Sequence, residues 1–313
     1  MTSEAAIECR DLRKHYGDVV AVDGLDLEIR TGECFGLLGP NGAGKTTTVE
    51  ILEGLSRPDG GLVRVLGMEW GRDDRSLQQR LGIQLQETTL PEKLTVEEIL
   101  TLFRSFYAKG VEAEEVLDVV GLVEKRGAWF SKLSGGQKQR LAIGCALVND
   151  PDVLFLDEPT TGLDPQARRK VWEIVERFRA RNRTVLLTTH YMEEAERLSD
   201  RVAIVDRGRV IALGTPAELI RSIGSDNVIE FELEPDSASA GPSDDDLREL
   251  PGVTSVERLE RRIRLGAEEL HLAVPALLSR LESARAGLAH LTTHQATLED
   301  VFVSLTGRHL RDG

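Results

Sequence analysis

The chain has 313 residues, of which 41% are hydrophobic and 29% are charged, and its formal net charge at pH 7 is −14. This length is enough for two domains with packed cores, and the acidic balance argues against a nucleic-acid partner, because neutralising phosphates needs a concentrated basic face. Every apolar run is shorter than the roughly 20 residues of a membrane helix, and no charged-then-apolar leader opens the chain, so we expect a protein that neither crosses a membrane nor is secreted.

Residues 1–224 alternate strand-like and helical patterns, which is typical of an α/β fold in which helices cover a sheet. The segment "ECFGLLG" at 33–39 predicts a buried strand, and "TTTVEILEGL" at 46–55 predicts the helix after it. Two further segments, "DVLFLDE" and "RTVLLTTH", predict buried strands that are each followed by a helix.

The segment "GPNGAGKTT", which joins the first of these strands to its helix, fills every fixed position of the phosphate-binding loop pattern. Glycines let the backbone wrap closely around a triphosphate, Lys45 reaches the β and γ phosphates, and the hydroxyl of Thr46 ligates Mg²⁺. A glycine-rich turn that matches by chance is the alternative, which the flanking strand and helix disfavour. The residues predicted to bind nucleotide are Gly39, Pro40, Asn41, Gly42, Ala43, Gly44, Lys45, Thr46 and Thr47. By itself the loop predicts only a nucleotide, because several classes of enzyme share it.

Residues from about 87 to 150 differ from the rest of this domain. The segments "LTVEEILTLFRSFY" and "AEEVLDVVGLV" are apolar at helical spacing, with no convincing strand between them, and they predict a helical insertion. Near its end, "LSGGQKQR" at 133–140 sets a serine and two glycines ahead of a helix, which presents backbone N–H groups to an anion. This second anion-binding turn lacks the glycine-lysine-threonine ending of the phosphate loop.

The segment "VLFLDE" places Asp157 at the end of a buried strand, where its carboxylate can support the metal. Glu158 follows directly, where it can polarise a water for in-line attack on the γ phosphate. His190 ends the next predicted strand, from which its imidazole can hold that water in line. Two solvated carboxylates and a structural histidine are the alternatives. The apolar residues before Asp157 and the position of His190 on the next strand favour hydrolysis.

Residues 225–313 form a second module with a different pattern. Segments such as "NVIEFELE" and "HLAVPALLSRLESA" predict strands and two helices of a small α+β domain. Within it, "EPDSASAGPSDDD" at 234–246 is acidic and rich in serine, alanine and proline, which predicts a solvated, linker-like loop.

Four motifs, "GPNGAGKTT", "LSGGQKQR", "VLFLDEPTTGLD" and "TTHYMEEAE", occur in this order and spacing within residues 5–220. Together they closely resemble the ATP-binding cassette (ABC) ATPases of ABC transporters. The resemblance implies a P-loop NTPase fold with a mixed sheet and a helical subdomain, and it implies ATP and Mg²⁺ as cofactors.

The resemblance also implies roles for three further residues. Tyr16 matches the aromatic residue that stacks on adenine, and Asp164 matches the loop residue that communicates between two nucleotide sites. Gln86 matches the glutamine that senses the γ phosphate and ligates Mg²⁺. Leu85 stands where many relatives have a proline or an aromatic residue, so Gln84 is the competing choice for that glutamine.

A role for the second anion-binding turn follows from the same resemblance. In ABC ATPases this signature turn faces the nucleotide of a second copy, so Ser134, Gly135, Gly136 and Gln137 are expected to bind the γ phosphate of ATP held on the partner's phosphate loop. One chain then supplies half of each site, and ATP closes a head-to-tail dimer. A homodimer and a heterodimer both fit the motifs.

The tail motif "ATLEDVFVSLTGR" is similar to ABC exporter ATPases of the daunorubicin-resistance type, which work with separately encoded membrane-spanning permease subunits. The resemblance implies the ATPase subunit of an exporter of a drug or another hydrophobic compound, held at the cytoplasmic face of the membrane through its permease. An importer ATPase and a soluble cassette ATPase without transport are the alternatives. In the exporter interpretation, the apolar positions of "LTVEEILTLF" form a groove for a cytoplasmic helix of the permease.

Overall fold

The computed structural model describes residues 5–85, 90–235, 241–259 and 262–306. The chain divides into two compact units, Met1–Leu213 and Gly214–Gly313. Among the described residues, no helix combines the length and the apolar character needed to cross a membrane.

The first unit contains two sheets and seven α-helices in its described part. Its strands are β1 (Ala5–Tyr16), β2 (Val19–Arg30), β3 (Cys34–Leu38), β4 (Gly60–Val65), β5 (Leu81–Gln84), β6 (Val153–Asp157), β7 (Thr184–Thr189), β8 (Arg201–Asp206) and β9 (Arg209–Gly214). Its helices are α1 (Lys45–Leu52), α2 (Asp74–Arg80), α3 (Val96–Arg104), α4 (Ala113–Val119), α5 (Gly135–Leu147), α6 (Pro165–Arg179) and α7 (Met192–Leu198).

The larger sheet has the strand order β5-β6-β7-β3-β8-β9. Strands β5, β6, β7, β3 and β8 pair in parallel, and β3, β6 and β7 are buried along their whole length. Since parallel strands end at the same edge, the segments that follow β3, β6 and β7 meet there. These segments carry the phosphate loop, Glu158 and His190, so the fold gathers the predicted catalytic residues at one edge.

The smaller sheet is antiparallel, with the order β2-β1-β4. Strand β2 passes close to the phosphate loop, because a Cβ atom added at Gly44 would lie 2.3 Å from the carbonyl oxygen of Ala21. The α/β fold with a mixed set of sheets that the sequence predicts is therefore confirmed.

Helices α3, α4 and α5 follow one another between β5 and β6 and pack on each other. Residues 90–150 contain no strand beyond an isolated bridge. Three apolar side chains of α3, those of Val96, Ile99 and Leu100, are fully buried in this packing. The expectation that the apolar positions of "LTVEEILTLF" form a groove is therefore wrong for these three positions, because they build the core between the helices instead. Leu102 remains 39% exposed on the outer face of α3.

The second unit is a small α+β domain. Its described elements are α8 (Pro216–Ser222), β10 (Asn227–Leu233), α9 (Asp244–Arg248), β11 (Val253–Leu259), β12 (Arg262–Ala267), α10 (Leu270–Ala284), β13 (Leu288–Gln295) and α11 (Leu298–Thr306). From β10 to β13 the order along the chain is β-α-β-β-α-β, and the antiparallel sheet has the order β11-β12-β10-β13. This is the ferredoxin-like arrangement, with α8 and α11 added at its two ends.

Two details of this unit differ from the sequence expectations. The boundary between the units lies after Leu213, not between 224 and 225 as the sequence predicts. The reason is that α8 packs against α11 and therefore belongs to the second unit. The sequence predicts a loop over 234–246, but its last three residues, from Asp244 on, form the start of α9. Ser243 and Asp246 form a capping box at that helix start, and acidic side chains stabilise a helix N-terminus. Residues 236–240 lie outside the described residues.

The tail motif "TLEDVF" caps and anchors α11. The carboxylate of Asp300 is 3% exposed and accepts hydrogen bonds of 2.8 Å from both the backbone N–H and the hydroxyl of Thr297. His294 and Arg264 lie 3.2 Å and 3.5 Å from it. A buried carboxylate needs such partners, so this part of the motif stabilises the second unit.

Candidate active site

The phosphate loop connects β3 to α1 in the conformation that its glycines allow. Gly44 has a φ of 99° and caps the N-terminus of α1. A side chain at Gly44 would collide with the backbone of Ala21 as well as strain the loop. The first turn of α1 is thereby left with free N–H groups, which is the arrangement that binds phosphate.

Lys45 lies at the centre of this loop. Its ammonium donates hydrogen bonds of 2.8 Å to the carbonyl of Gly39 and 3.1 Å to that of Pro40, and the residue is only 5% exposed. Burial lowers the pKa of Lys45, while the nearby carboxylates of Glu158 and Asp157 act in the opposite direction. The lysine and the two carboxylates are therefore close enough for their charges to interact.

Asp157 is the last residue of β6 and is 6% exposed. Thr188 is the residue of β7 that pairs with Asp157. Its hydroxyl donates a hydrogen bond to Oδ1 of Asp157. Burial raises the pKa of Asp157, and the Thr188 hydrogen bond and Lys45 partly offset that rise. A carboxylate held in this way is preorganised to meet a cation at the sheet edge.

Glu158 follows with a φ of 46°, in the left-handed region that non-glycine residues rarely adopt. Its backbone N–H donates to the carbonyl of Thr188 at 3.2 Å and to the hydroxyl at 3.0 Å. The side-chain atom Oε2 accepts a hydrogen bond of 3.0 Å from the hydroxyl of Thr161 and lies 3.2 Å from Nδ1 of His190. The strained backbone thus turns the carboxylate towards His190, and such strain is concentrated at functional sites.

Thr188 and Thr161 are functional residues that sequence reasoning missed. Thr188 contacts both carboxylate residues, and Thr161 contacts Glu158. The only sequence signal for Thr188 is its place near the end of β7, two residues before His190. Its contact with Asp157 depends on the register between β6 and β7, which no local pattern specifies.

Glu53 is a third residue that the sequence did not single out. It lies at the end of α1, is 4% exposed, and its pKa is raised to about 8, chiefly by burial and then by Asp157 and Glu50. Glu53 is therefore a buried carboxyl group at the C-terminal end of α1, close enough to Asp157 for their charges to interact.

The predicted adenine-stacking residue is the last residue of β1. Tyr16 is 48% exposed, its hydroxyl lies 3.5 Å from the hydroxyl of Ser56, and the ammonium of Lys14 is 5.3 Å from its ring centroid. Tyr16 pairs with Val19 of β2, and β2 approaches the phosphate loop at Ala21.

Gln86 lies outside the described residues, so its predicted contacts with the γ phosphate and Mg²⁺ stay a prediction. The competing choice, Gln84, ends β5 beside β6. Its side chain is 1% exposed and donates to the carbonyl of Leu85.

The signature turn forms the N-terminus of α5. Ser134 and Gln137 make a capping box, in which the Ser134 hydroxyl accepts from the Gln137 N–H and the Gln137 side chain accepts from the Ser134 N–H at 2.9 Å. Ser134 and Gly135 are exposed. Asp164 caps α6 in a similar way by accepting from two backbone N–H groups at 2.9 Å.

The turn and Asp164 line one small cavity of about 160 Å³. The described residues that line it are Ser134, Gly136, Gln137, Arg140, Asp164, Gln166, Ala167 and Lys170. None of them comes from the phosphate loop, the Asp157–Glu158 pair or His190. The structure therefore brings the predicted site residues together in two groups, one at the sheet edge and one around the start of α5.

The oxygen donors at the sheet edge are suited to a magnesium ion. Thr46 supplies a hydroxyl at the start of α1 and Asp157 a carboxylate, and hard oxygen ligands are what Mg²⁺ takes. No cluster of three or more histidine, cysteine, aspartate or glutamate side chains that could hold a metal occurs in the described part of the chain. Mg²⁺ is commonly held by one or two protein groups together with substrate phosphates.

Two family models match the chain. The model for "ABC transporter" matches residues 22–161, and the model for "ATP-binding protein DrrA1-3-like, C-terminal domain" matches residues 214–306. The two matches together include the phosphate loop, the signature turn and the tail motif as far as Thr306.

Curated relatives are similar over the whole length. The chain is 43% identical to Nod factor export ATP-binding protein I of Burkholderia orbicola, over 99% of this chain and 100% of the relative. It is 44% identical to the protein of the same name from Paraburkholderia xenovorans, over 99% of both chains.

Solved structures match about two thirds of the chain. One is the ATP-binding subunit of an ABC transporter, with 31% identity and a TM-score of 0.64 over 70% of this chain and 93% of that chain. Another is a dimeric ATP-binding cassette in a post-hydrolysis state with bound ADP and Pi, with 27% identity and a TM-score of 0.61 over 67% of this chain and 98% of that chain.

Proposed function

Because this chain belongs to the ABC transporter family and is an ATPase of that family, we propose that it drives export through separately encoded permease subunits at the cytoplasmic face of a membrane. The full-length similarity to Nod factor export ATP-binding proteins carries this proposal, since it includes the C-terminal unit as well as the cassette. The same similarity favours export over import or a role without transport. In this proposal the permease selects the exported compound.

The test is to isolate the chain with its partners from membranes of its own host. The proposal expects a co-purifying protein with about six apolar segments, each of roughly 20 residues, and ATP-dependent movement of substrate in vesicles that contain both proteins. Co-purification with ribosomes, or with a substrate-binding lipoprotein and inward transport, would overturn it.

The two groups of site residues support a site shared between two copies of the chain. The sheet-edge group contains the phosphate loop, Glu158 and His190, and the second group contains the signature turn and Asp164. In a head-to-tail dimer the exposed N-terminus of α5 would cap the γ phosphate of ATP held by the partner's loop. The dimeric cassette with ADP and Pi is a structural relative in line with this arrangement.

The hydrolytic chemistry is assigned to this chain's own residues. Oε2 of Glu158 is anchored by Thr161 and His190, so we assign Oε1 as the atom that takes the proton of the attacking water. If Nδ1–H of His190 donates to Glu158, Nε2 is the ring nitrogen left to orient that water. Lys45 and the loop amides stabilise the charge that develops on the γ phosphate.

A magnesium ion bound by Thr46 and Asp157 would balance the charge of the β and γ phosphates. Asp157 suits this role because Thr188 fixes one of its oxygens while burial keeps water from competing for the carboxylate. Gln86 is the third proposed ligand.

Replacing Lys45 by Ala is expected to weaken ATP binding by about 10- to 100-fold, because a hydrogen bond to a charged group contributes about 1.5–3 kcal/mol. Equilibrium titration of the purified variant with ATP measures this. Lys109→Ala, at an exposed lysine of the first unit, is the matched control and should bind ATP normally. Unchanged affinity in the Lys45 variant would count against the phosphate-loop assignment.

The permease contact is proposed for the outer face of α3 and the turn after it. Phe106 is 63% exposed and packs edge-on against Phe103, with ring centroids 5.9 Å apart, and Leu102 is 39% exposed beside them. Exposed aromatic and aliphatic side chains in one patch mark an interaction surface.

Leu102→Asp and Phe106→Asp are expected to leave the ATPase rate of the isolated chain unchanged and to abolish export in the complex, since they add a charge to the docking face only. Transport and ATPase assays on the same preparations measure both effects. Leu305→Asp places the same charge on a 50% exposed leucine of the C-terminal unit. If only the Leu305 variant lost export, the permease contact would have to be assigned to the C-terminal unit instead of α3.

A further inference from the structure

The ring of His190 is held on two sides. On one side Nδ1 lies 3.2 Å from Oε2 of Glu158. On the other side the ring of Tyr191 packs against it, with centroids 4.2 Å apart and planes tilted by 41°. The ring of Tyr191 therefore limits the orientations that His190 can adopt.

Arg168 holds Tyr191 from a different element. Its guanidinium carbon lies 5.1 Å from the Tyr191 ring centroid, within the range of a cation–π interaction. Nε of Arg168 is buried without a hydrogen-bond partner among the described residues, and the guanidinium interacts with the rings of Tyr191 and Trp172 and with the charge of Glu194. Tyr191 is thus clamped between His190 and the first turn of α6.

That first turn of α6 begins at Asp164. The backbone N–H of Arg168 donates to the carbonyl of Asp164 at 3.0 Å, and the side chain of Asp164 caps the helix. Asp164 and Arg168 are therefore one rigid unit, since one helical turn joins them. Asp164 lines the cavity of the signature turn, whereas Arg168 contacts the ring beside His190.

Helices α6 and α7 are tied together below this contact. Trp172 Nε1 donates at 2.9 Å to Oε1 of Glu194, whose side chain is fully buried. Arg197 lies over the ring of Trp172 at 4.9 Å. This buried hydrogen bond fixes the spacing of the two helices, so a displacement of the start of α6 is passed to Tyr191 rather than absorbed between the helices.

We propose that Arg168 and Tyr191 are positioning residues that link Asp164, on the side of the partner's nucleotide, to His190, on the side of this chain's own nucleotide. The proposal rests on the shared-site function proposed above. It adds the contacts through which one nucleotide site affects the other. When the turn at Asp164 docks on the partner, Arg168 moves with it, and the ring of Tyr191 sets His190 for hydrolysis. Hydrolysis in one site then responds to docking at the other.

A purely structural role is the alternative, because Arg168 also lies 5.9 Å from the ring of Trp172. In that case Arg168 would stabilise α6 and Tyr191 would fill space. The two explanations differ in their kinetics. A positioning residue changes kcat without changing KM, since it acts only in the transition state, whereas a loosened fold lowers the amount of active enzyme and its assembly.

The experiment compares steady-state ATPase kinetics of the purified full-length variants. Tyr191→Ala and Arg168→Gln are each expected to lower kcat by roughly 10- to 100-fold with KM unchanged, because small misplacements of catalytic groups cost this much. Tyr191→Phe keeps the ring and should retain nearly normal kcat. Arg169→Gln, at the exposed neighbouring arginine, should match the wild-type chain.

The double variant Arg168→Gln/Tyr191→Ala decides whether the two residues act in one chain of contacts. We expect it to be no slower than Tyr191→Ala alone, because residues that act through each other are not additive. Effects that multiply, a Tyr191→Phe variant as slow as Tyr191→Ala, or a change confined to KM would overturn the proposal.

A folding control uses the Glu158→Gln background. There, adding Tyr191→Ala should preserve ATP-dependent dimerisation on a sizing column, and loss of the dimer would assign Tyr191 to assembly instead. Failure of the wild-type chain to hydrolyse ATP, or of Glu158→Gln to dimerise, would count against the proposed function itself. Normal kinetics in both single variants, with a normal wild-type chain, would count against this inference alone.

Discussion

Glu158→Gln is expected to bind ATP normally and to lose about 100- to 10,000-fold of its turnover, the usual contribution of a general base. The amide keeps the shape of the carboxylate and its contact distance to Thr161, but it cannot take a proton from water. The phosphate loop and Lys45 are unchanged, so the ground-state complex with ATP should form as before.

Single-turnover hydrolysis by the purified Glu158→Gln variant measures this loss without interference from product release. Glu173→Gln removes one exposed carboxylate from α6 and should hydrolyse ATP at the wild-type rate. Near-normal turnover in the Glu158 variant would reassign the base to another group at the sheet edge.

Ser134→Arg is expected to abolish steady-state hydrolysis while sparing ATP binding by the isolated chain. Ser134 is exposed at the start of α5 and lines the cavity of about 160 Å³. An arginine there would fill the gap in which the partner's γ phosphate docks. Loss of the serine cap costs only about 1 kcal/mol of stability, so the chain should still fold.

Ser105→Arg is the matched control for the Ser134 variant. It adds the same side chain at an exposed serine directly after α3, on the same helical part of the first unit but away from the start of α5. It should bind and hydrolyse ATP normally in the isolated chain. Equal loss of activity in both variants would mean that added charge, rather than the blocked turn, is responsible.

The main features of the sheet edge could be predicted from the sequence because each depends on a local pattern. The strand before Gly39, the helix after it and the strand before Asp157 are each encoded in consecutive residues, and the structure has β3, α1 and β6 at these places. The parallel order of buried strands then brings the loop, Glu158 and His190 together.

The contacts of Thr188 could not be predicted, because they connect residues 30 and 31 positions apart. Thr188 reaches Asp157 only in the observed register of β6 and β7. The left-handed backbone of Glu158 likewise depends on the two acceptors that Thr188 offers to its N–H group. Register between parallel strands is set by the packing of whole elements, not by the residues of one strand.

The second unit shows the same limit. Its strands are visible as β-branched runs, but the order β11-β12-β10-β13 depends on pairings across the whole unit. The composition of residues 234–246 predicts a loop, whereas α9 begins at Asp244 within this segment. The cap of Ser243 and Asp246 and the ion pairs of Asp244 with Arg258 and Asp246 with Arg280 stabilise a helix there.

The central claim is that two copies of the chain enclose ATP between the phosphate loop of one and the signature turn of the other. The most direct measurement is size-exclusion chromatography of Glu158→Gln with ATP and Mg²⁺, with and without Ser134→Arg. We expect ATP to convert the Glu158→Gln chain from monomer to dimer, and the added Ser134→Arg to leave it monomeric at the same ATP occupancy. An ATP-dependent dimer that persists with Ser134→Arg would contradict the account.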